Sequence, residues 1–146
     1  MKIERYDVTI STDQTEYRFI SEGRQGRILK KVRFTLIHSS GVYNLGFGDV
    51  NPLTGQVSDL DVSDNGDTQK VLATVAGIAL NFLHHNPEAS LYAKGSTPSR
   101  DRLYRMGLTR HYEEISQFLE VYGWTSKEWE PFNQGKNYEA FLAKPK

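Results

Sequence analysis

At 146 residues, with no cysteine and with 18 basic residues balanced by 18 acidic ones, the chain has the size of one domain that builds its own core. Lack of cysteine excludes disulfides, thiolate nucleophiles and the usual structural zinc sites, and zero net charge excludes a whole-molecule field steering it onto nucleic acid or an anionic membrane. No run approaches the roughly 18 apolar residues of a membrane span and the amino terminus lacks a signal peptide's apolar core, so a cytoplasmic single domain over 1–146 is expected.

The first half alternates with period two. From Arg27 to His38, Ile28, Val32, Phe34 and Leu36 point one way while Arg27, Lys31, Arg33 and Thr35 point the other, as in a strand with one solvated face. Shorter versions at Arg5 to Ile10, Glu16 to Ser21 and Val42 to Asp49 predict four strands in meander order. Asn51-Pro52-Leu53-Thr54-Gly55 carries turn chemistry, and Val57 to Val62 returns as a fifth strand. Asn65-Gly66-Asp67-Thr68 then opens a helix, with Asp67 or Thr68 placed to cap its free amides.

Val71, Leu72, Val75, Ile78, Ala79, Phe82 and Leu83 recur at three- and four-residue spacing, the apolar stripe of an α-helix, with Val75, Ile78 and Phe82 expected to face the sheet. Pro87 ends it, and Ala89 to Lys94 reads as a buried strand completing a crossover. Thr97-Pro98 reads as the start of a short second helix and Met106-Gly107-Leu108 as its glycine-capped end. Tyr112, Ile115, Phe118 and Leu119 add a helical turn or two, before strands near Phe118 to Tyr122 and Asn137 to Ala143. The fold class that results is α+β: a mostly antiparallel, twisted sheet of about seven strands with two or three helices.

Several strings resemble an uncharacterised family of small bacterial proteins, a domain of unknown function: Val42-Tyr43-Asn44-Leu45-Gly46-Phe47-Gly48-Asp49, Gly95-Ser96-Thr97-Pro98 with Arg102-Leu103-Tyr104, and Glu128-Trp129-Glu130-Pro131-Phe132 with Asn137-Tyr138. That resemblance implies no activity. Architecturally, the order of strand, hairpin, strand, helix, strand, helix from Asn44 to Tyr112 is similar to the core of the Gcn5-related N-acetyltransferases, as is Arg102-Leu103-Tyr104-Arg105-Met106-Gly107-Leu108. It implies an acetyltransferase-like fold and a coenzyme A pyrophosphate at the start of the long helix. The corresponding loop, Asp64-Asn65-Gly66-Asp67, offers one glycine and two carboxylates, which repel a phosphate competing for the same amides, so no cofactor is expected.

Asp61 to Gly66 matches the first half of a calcium loop, but the position of the bidentate glutamate is Leu72, so no metal is expected. His84 and His85 are adjacent and diverge by about 100° on a helix, and His38 and His111 are remote, which leaves neither a zinc site nor a catalytic triad. No catalytic residue is assigned, and whether the chain is an enzyme stays open. Trp124, Trp129 and Phe132 form either a stacking platform or, more simply, one edge of the core.

The charges are segregated. Arg24, Arg27, Lys30, Lys31 and Arg33 form one basic run, Lys94, Arg100, Arg102, Arg105 and Arg110 another, while Ser39 to Gln69 has five aspartates and no base. Two basic runs meeting in space would hold phosphates or a nucleic acid backbone. The best local ligand candidate is the segment of Lys94, Ser96, Thr97, Ser99 and Arg100, where a helix start presents free amides beside two cations to a small anion. Three functional classes follow: a non-enzymatic binding or interaction protein, with a protein or small anionic ligand as partner; a transferase on an acetyltransferase-like scaffold; and a nucleic-acid-binding module.

Overall fold

The computed structural model describes residues 4–37, 41–58, 65–95 and 97–146. They form a nine-stranded sheet backed by three helices. The strands are β1 (Thr9–Ile10), β2 (Glu16–Gly23), β3 (Gly26–Ile37), β4 (Val42–Val50), β5 (Val57–Ser58), β6 (Ser90–Ala93), β7 (Leu119–Trp124), β8 (Trp129–Pro131) and β9 (Ala140–Pro145). The helices are α1 (Thr68–His85), α2 (Pro98–Arg110) and α3 (Tyr112–Phe118). Spatial order is β1-β2-β3-β4-β6-β9-β7-β8, with β5 added to β4. Only β4 and β6 run parallel, because α1 carries the chain between them; all other pairings are antiparallel.

Register divides the side chains between two faces. On one lie Tyr17, Phe19, Val32, Phe34, Leu45, Phe47, Leu91, Phe141 and Val121, all buried. Phe82 of α1 stacks on Phe34 with centroids 4.0 Å apart and meets Tyr43 edge-on, anchoring the helix to the sheet centre. Ile78 is buried with it, whereas Val75, expected to be buried too, is only partly so, because it borders a cavity described below. At the other end, Phe132, Tyr138 and Phe141 pack as a ring cluster with Tyr112 of α3. Gly123 makes room for it, since a Cβ there would lie 2.4 Å from the Tyr138 ring.

The meander, α1 and the β4-α1-β6 crossover follow the sequence pattern; other details depart from it. Residues 5–8 are not a strand: the Tyr6 amide donates to Thr74 Oγ1 on α1, so this segment crosses the helix, and only Thr9–Ile10 joins the sheet. The second half of the fifth strand, 59–62, lies outside the described residues. α2 does not stop at Gly107 but runs to Arg110, because Gly107 is a contact point: its Cβ would lie 3.3 Å from Leu72 Cδ2 of α1. Residues 137–139 precede the last strand, and β8, which pairs Trp129 with Trp124, has too few alternating residues to show in sequence.

The start of α1 shows why a capping residue need not cap. Asp67 occupies the N-cap position but makes no side-chain cap bond. Its Oδ2 accepts instead from the Tyr6 and Ser21 hydroxyls, tying the amino-terminal segment and β2 to the helix start. Burial first, then this bond, raises the Tyr6 phenol above its ordinary value. Asn65 does similar work on the β2–β3 hairpin: it is buried, accepts from the Gln25 amide and donates to Ser21 Oγ and the Gly26 carbonyl.

A candidate binding face

The three helices share one side of the sheet. α1 reaches it through Phe82, α2 through Arg100, whose guanidinium lies 5.1 Å from the Phe47 ring, and α3 through Ile115 and Tyr112. Among the described residues no helix packs on the other face. Across that face β2 and β3 present Arg18, Ile20, Lys31 and Arg33, β4 presents Asn44, Gly46 and Gly48, and β6 to β8 present Tyr92, Leu142, Tyr122, Trp124 and Trp129. Strand alternation forces this division, because each of these residues neighbours a core residue.

The face has three zones. The aromatic zone holds both tryptophans of the chain, with ring centroids 5.4 Å apart, and Tyr92 lies edge-on to Trp129 at 6.2 Å. Trp129 is 41% exposed, and Tyr92, Tyr122 and Trp124 are partly exposed. The middle zone is low, since Gly46 and Gly48 have no side chains to raise it. In the cationic zone Glu16 faces three bases: Lys31 Nζ at 2.8 Å, Arg18 at 3.5 Å and Arg33 at 3.6 Å. The bond from Lys31, with the charges of Arg33 and Arg18 behind it, holds the Glu16 carboxyl below its ordinary range. Lys31 is nearly buried, but the side chains of Arg18 and Arg33 are 52% and 54% exposed.

The anion-binding candidate is arranged differently. Thr97 is the N-cap of α2, its Oγ1 accepting from the Arg100 amide, and Pro98 fills the first turn. The Gly95 amide donates to Asp101 Oδ1 at 2.6 Å, so a carboxylate of the chain occupies the nearest amide. Burial pushes the Asp101 carboxyl above its usual value, a tendency that the Gly95 bond and Lys94 oppose. Lys94 and Ser99 are exposed, Arg100 is 2% exposed and turned onto Phe47, and Ser96 lies outside the described residues. The structure thus separates Arg100 from Lys94 and Ser99.

The two basic runs meet in one place: Lys30 Nζ, 5.9 Å from the Phe47 ring, approaches the ring that Arg100 covers, and Lys30 pairs with Asp49. The meeting point is buried, and a carboxylate already stands in it. Of the calcium-loop residues, Asp61, Ser63 and Asp64 lie outside the described residues, and among those described no cluster of three metal-ligating side chains occurs. His84 and His85 are exposed neighbours. His111 is buried, its Nε2 without a hydrogen-bond partner among the described residues, and burial lowers its pKa, with Glu114 opposing. Phe132 belongs to the core, while Trp124 and Trp129 belong to the uncovered face.

Beneath α2 lies a cavity of about 100 Å³ lined by Leu72, Val75, Leu91, Leu103, Leu108 and Phe141 among others. Its walls are apolar, so it has nothing to hold an ordered water. Tyr104 and Leu108 of α2 pack against the core beside it, and Arg100 is the one buried residue of that helix.

Fold and face together define a helix-backed antiparallel sheet protein with one face left without helices. The chain belongs to the family of unknown function DUF6934, whose sequence profile matches residues 2–146. No curated protein and no solved structure matches it. Among the described residues no helix is long and apolar enough to cross a membrane.

Proposed function

We propose that this protein is a non-enzymatic binding protein that engages its partner on the uncovered face of the sheet. One observation carries this reading: all three helices cover one face, while the opposite one sets exposed aromatic rings beside half-exposed arginines across a glycine floor. Trp129 stays 41% exposed on that face, and aromatic and arginine side chains are the residue types that concentrate binding energy. The test is photo-cross-linking in the native cell from a reactive residue placed at Ile20 or Thr35 on this face, compared with one at Arg105 or Glu113 on the helix side. Adducts from the sheet face alone support the reading; adducts from the helix side alone, or none from the sheet face, overturn it.

A transferase on an acetyltransferase-like scaffold is the second reading. What favours it is the short parallel pairing of β4 with β6, which runs only from Val42–Asn44 against Ser90–Tyr92. Beyond Asn44 the two strands have no further register in common. Against it stands Asp67 at the helix start, a carboxylate where a phosphate would have to bind. Calorimetry with acetyl coenzyme A decides: a micromolar isotherm favours the transferase over the binding protein, and a flat trace removes it.

A further inference from the structure

We infer that the partner of the uncovered face is single-stranded nucleic acid, its phosphates held by Arg18 and Arg33 and its bases stacked on Tyr92, Trp124 and Trp129. The inference rests on the proposed use of this face and adds the chemistry of its occupant. Three cations share the single carboxylate of Glu16, which leaves two net positive charges on one side of the face of a chain whose total charge is zero. A bound polyanion finds local complementarity there without any field from the whole molecule.

The spacing suits a nucleotide lying across the strands. Asn44 pairs with both Thr35 and Tyr92, so Arg33 on β3 and Tyr92 on β6 flank β4 from opposite sides. Two strand steps across the sheet and a two-residue offset along it, because Arg33 pairs with Gly46, separate their backbones by about 12 Å, and between them stand only Asn44 and the glycines. A phosphate at the guanidinium end thus leaves its base over the Tyr92 ring. Trp129, edge-on to Tyr92, and Trp124 beside it extend the stacking surface for neighbouring bases. A duplex hides those base planes, which excludes it from the aromatic zone. An acidic peptide would satisfy the arginines but brings a flat ring only where it carries an aromatic residue, whereas every nucleotide brings one.

Both tryptophans of the chain lie on this face, so intrinsic fluorescence reports occupancy directly. The probes are a 20-nucleotide oligothymidylate, an oligouridylate of equal length and a matched duplex, titrated at low salt. Saturable quenching by the single strands, with much weaker quenching by the duplex, is expected. The affinity should fall with salt with a log–log slope near about −1.4 for two phosphate contacts, and Arg33→Ala should remove about half of that slope. Trp129→Ala should weaken binding about tenfold while Trp129→Phe preserves it, since a ring is needed rather than indole itself. Thermal melting checks that these exposed positions leave the fold intact. Absence of quenching, equal response to duplex, or an unchanged salt slope in Arg33→Ala overturns the inference. So does a concentration-dependent dimer in sedimentation that Trp129→Ala dissolves, which would assign the face to a second copy of the chain. Sheet-face cross-links in the cell that resist nuclease and yield to protease remove nucleic acid and leave the binding face standing; no sheet-face cross-links remove both.

Discussion

The two faces of this sheet are made by the same strands, one residue apart, and have opposite fates. On the helix side Phe34, Phe47, Phe82 and Phe141 are sealed into a core; on the other, Tyr92, Trp124 and Trp129 remain partly in water although their rings, too, are large and mostly apolar. The difference teaches that hydrophobicity alone does not seal a sheet. A face is closed only if the chain supplies an element long enough to lie on it, and α1, α2 and α3 are all committed to one side. What remains uncovered is available for binding.

The largest expected contrast is between one aromatic residue per face. Phe82→Ala should cost about 3 to 5 kcal/mol in a urea titration, because it empties the stack on Phe34. Trp129→Ala should cost only about 1 kcal/mol, since it loses ring contacts with Trp124 and Tyr92 but empties no core position. Equal losses would break the comparison by making Trp129 a core residue. Glycines provide the next contrast. Gly123→Ala drives a methyl into the Tyr138 ring and should destabilise by about 1 to 3 kcal/mol. Gly46→Ala meets nothing closer than 3.8 Å and should be close to neutral, while raising the floor of the binding face.

A charge change sharpens the comparison further. Glu16→Gln leaves the nearly buried Lys31 without its anion and should cost about 1 to 3 kcal/mol at neutral pH, less than a fully buried pair because Glu16 is a quarter exposed. The folded pKa of Glu16 lies below its unfolded one. Its contribution is therefore present above the ordinary glutamate range and lost as pH falls through the folded value, so wild type and variant should converge in acid. Failure to converge would assign the loss to packing instead.

The smallest effect belongs to the helix side. Burial lowers the folded pKa of His111, so the unfolded chain binds a proton first as pH falls below about 6.5. Stability should decline from there toward the folded value, by no more than about 1.4 kcal/mol per pH unit for one group. His111→Leu should flatten that part of the profile; an unchanged slope would place the responsible group elsewhere.

Much of the architecture was legible in one dimension because period two and period 3.6 are local properties. The run from Arg27 to His38 announces a strand with two unlike faces, and the stripe from Val71 to Leu83 announces α1, without reference to anything distant. Those patterns also imply the α+β class and the crossover. Sequence could not say that Tyr92, Trp124 and Trp129 would lie on the same face as Arg18 and Arg33, since that depends on how β6 to β8 pair after the crossover. It could not separate Phe132 from Trp124 and Trp129, because three aromatic residues within nine positions diverge only when β8 pairs with β7. Gly107 reads locally as a helix end, and only the approach of Leu72 makes it a helix interior. Asp67 reads as a cap, and only Tyr6 and Ser21, brought from distant segments, divert its carboxylate. Local propensity thus determined the elements, while long-range contacts decided the use of each ambiguous side chain, because glycine, aspartate and tryptophan take their roles from neighbours remote in the chain.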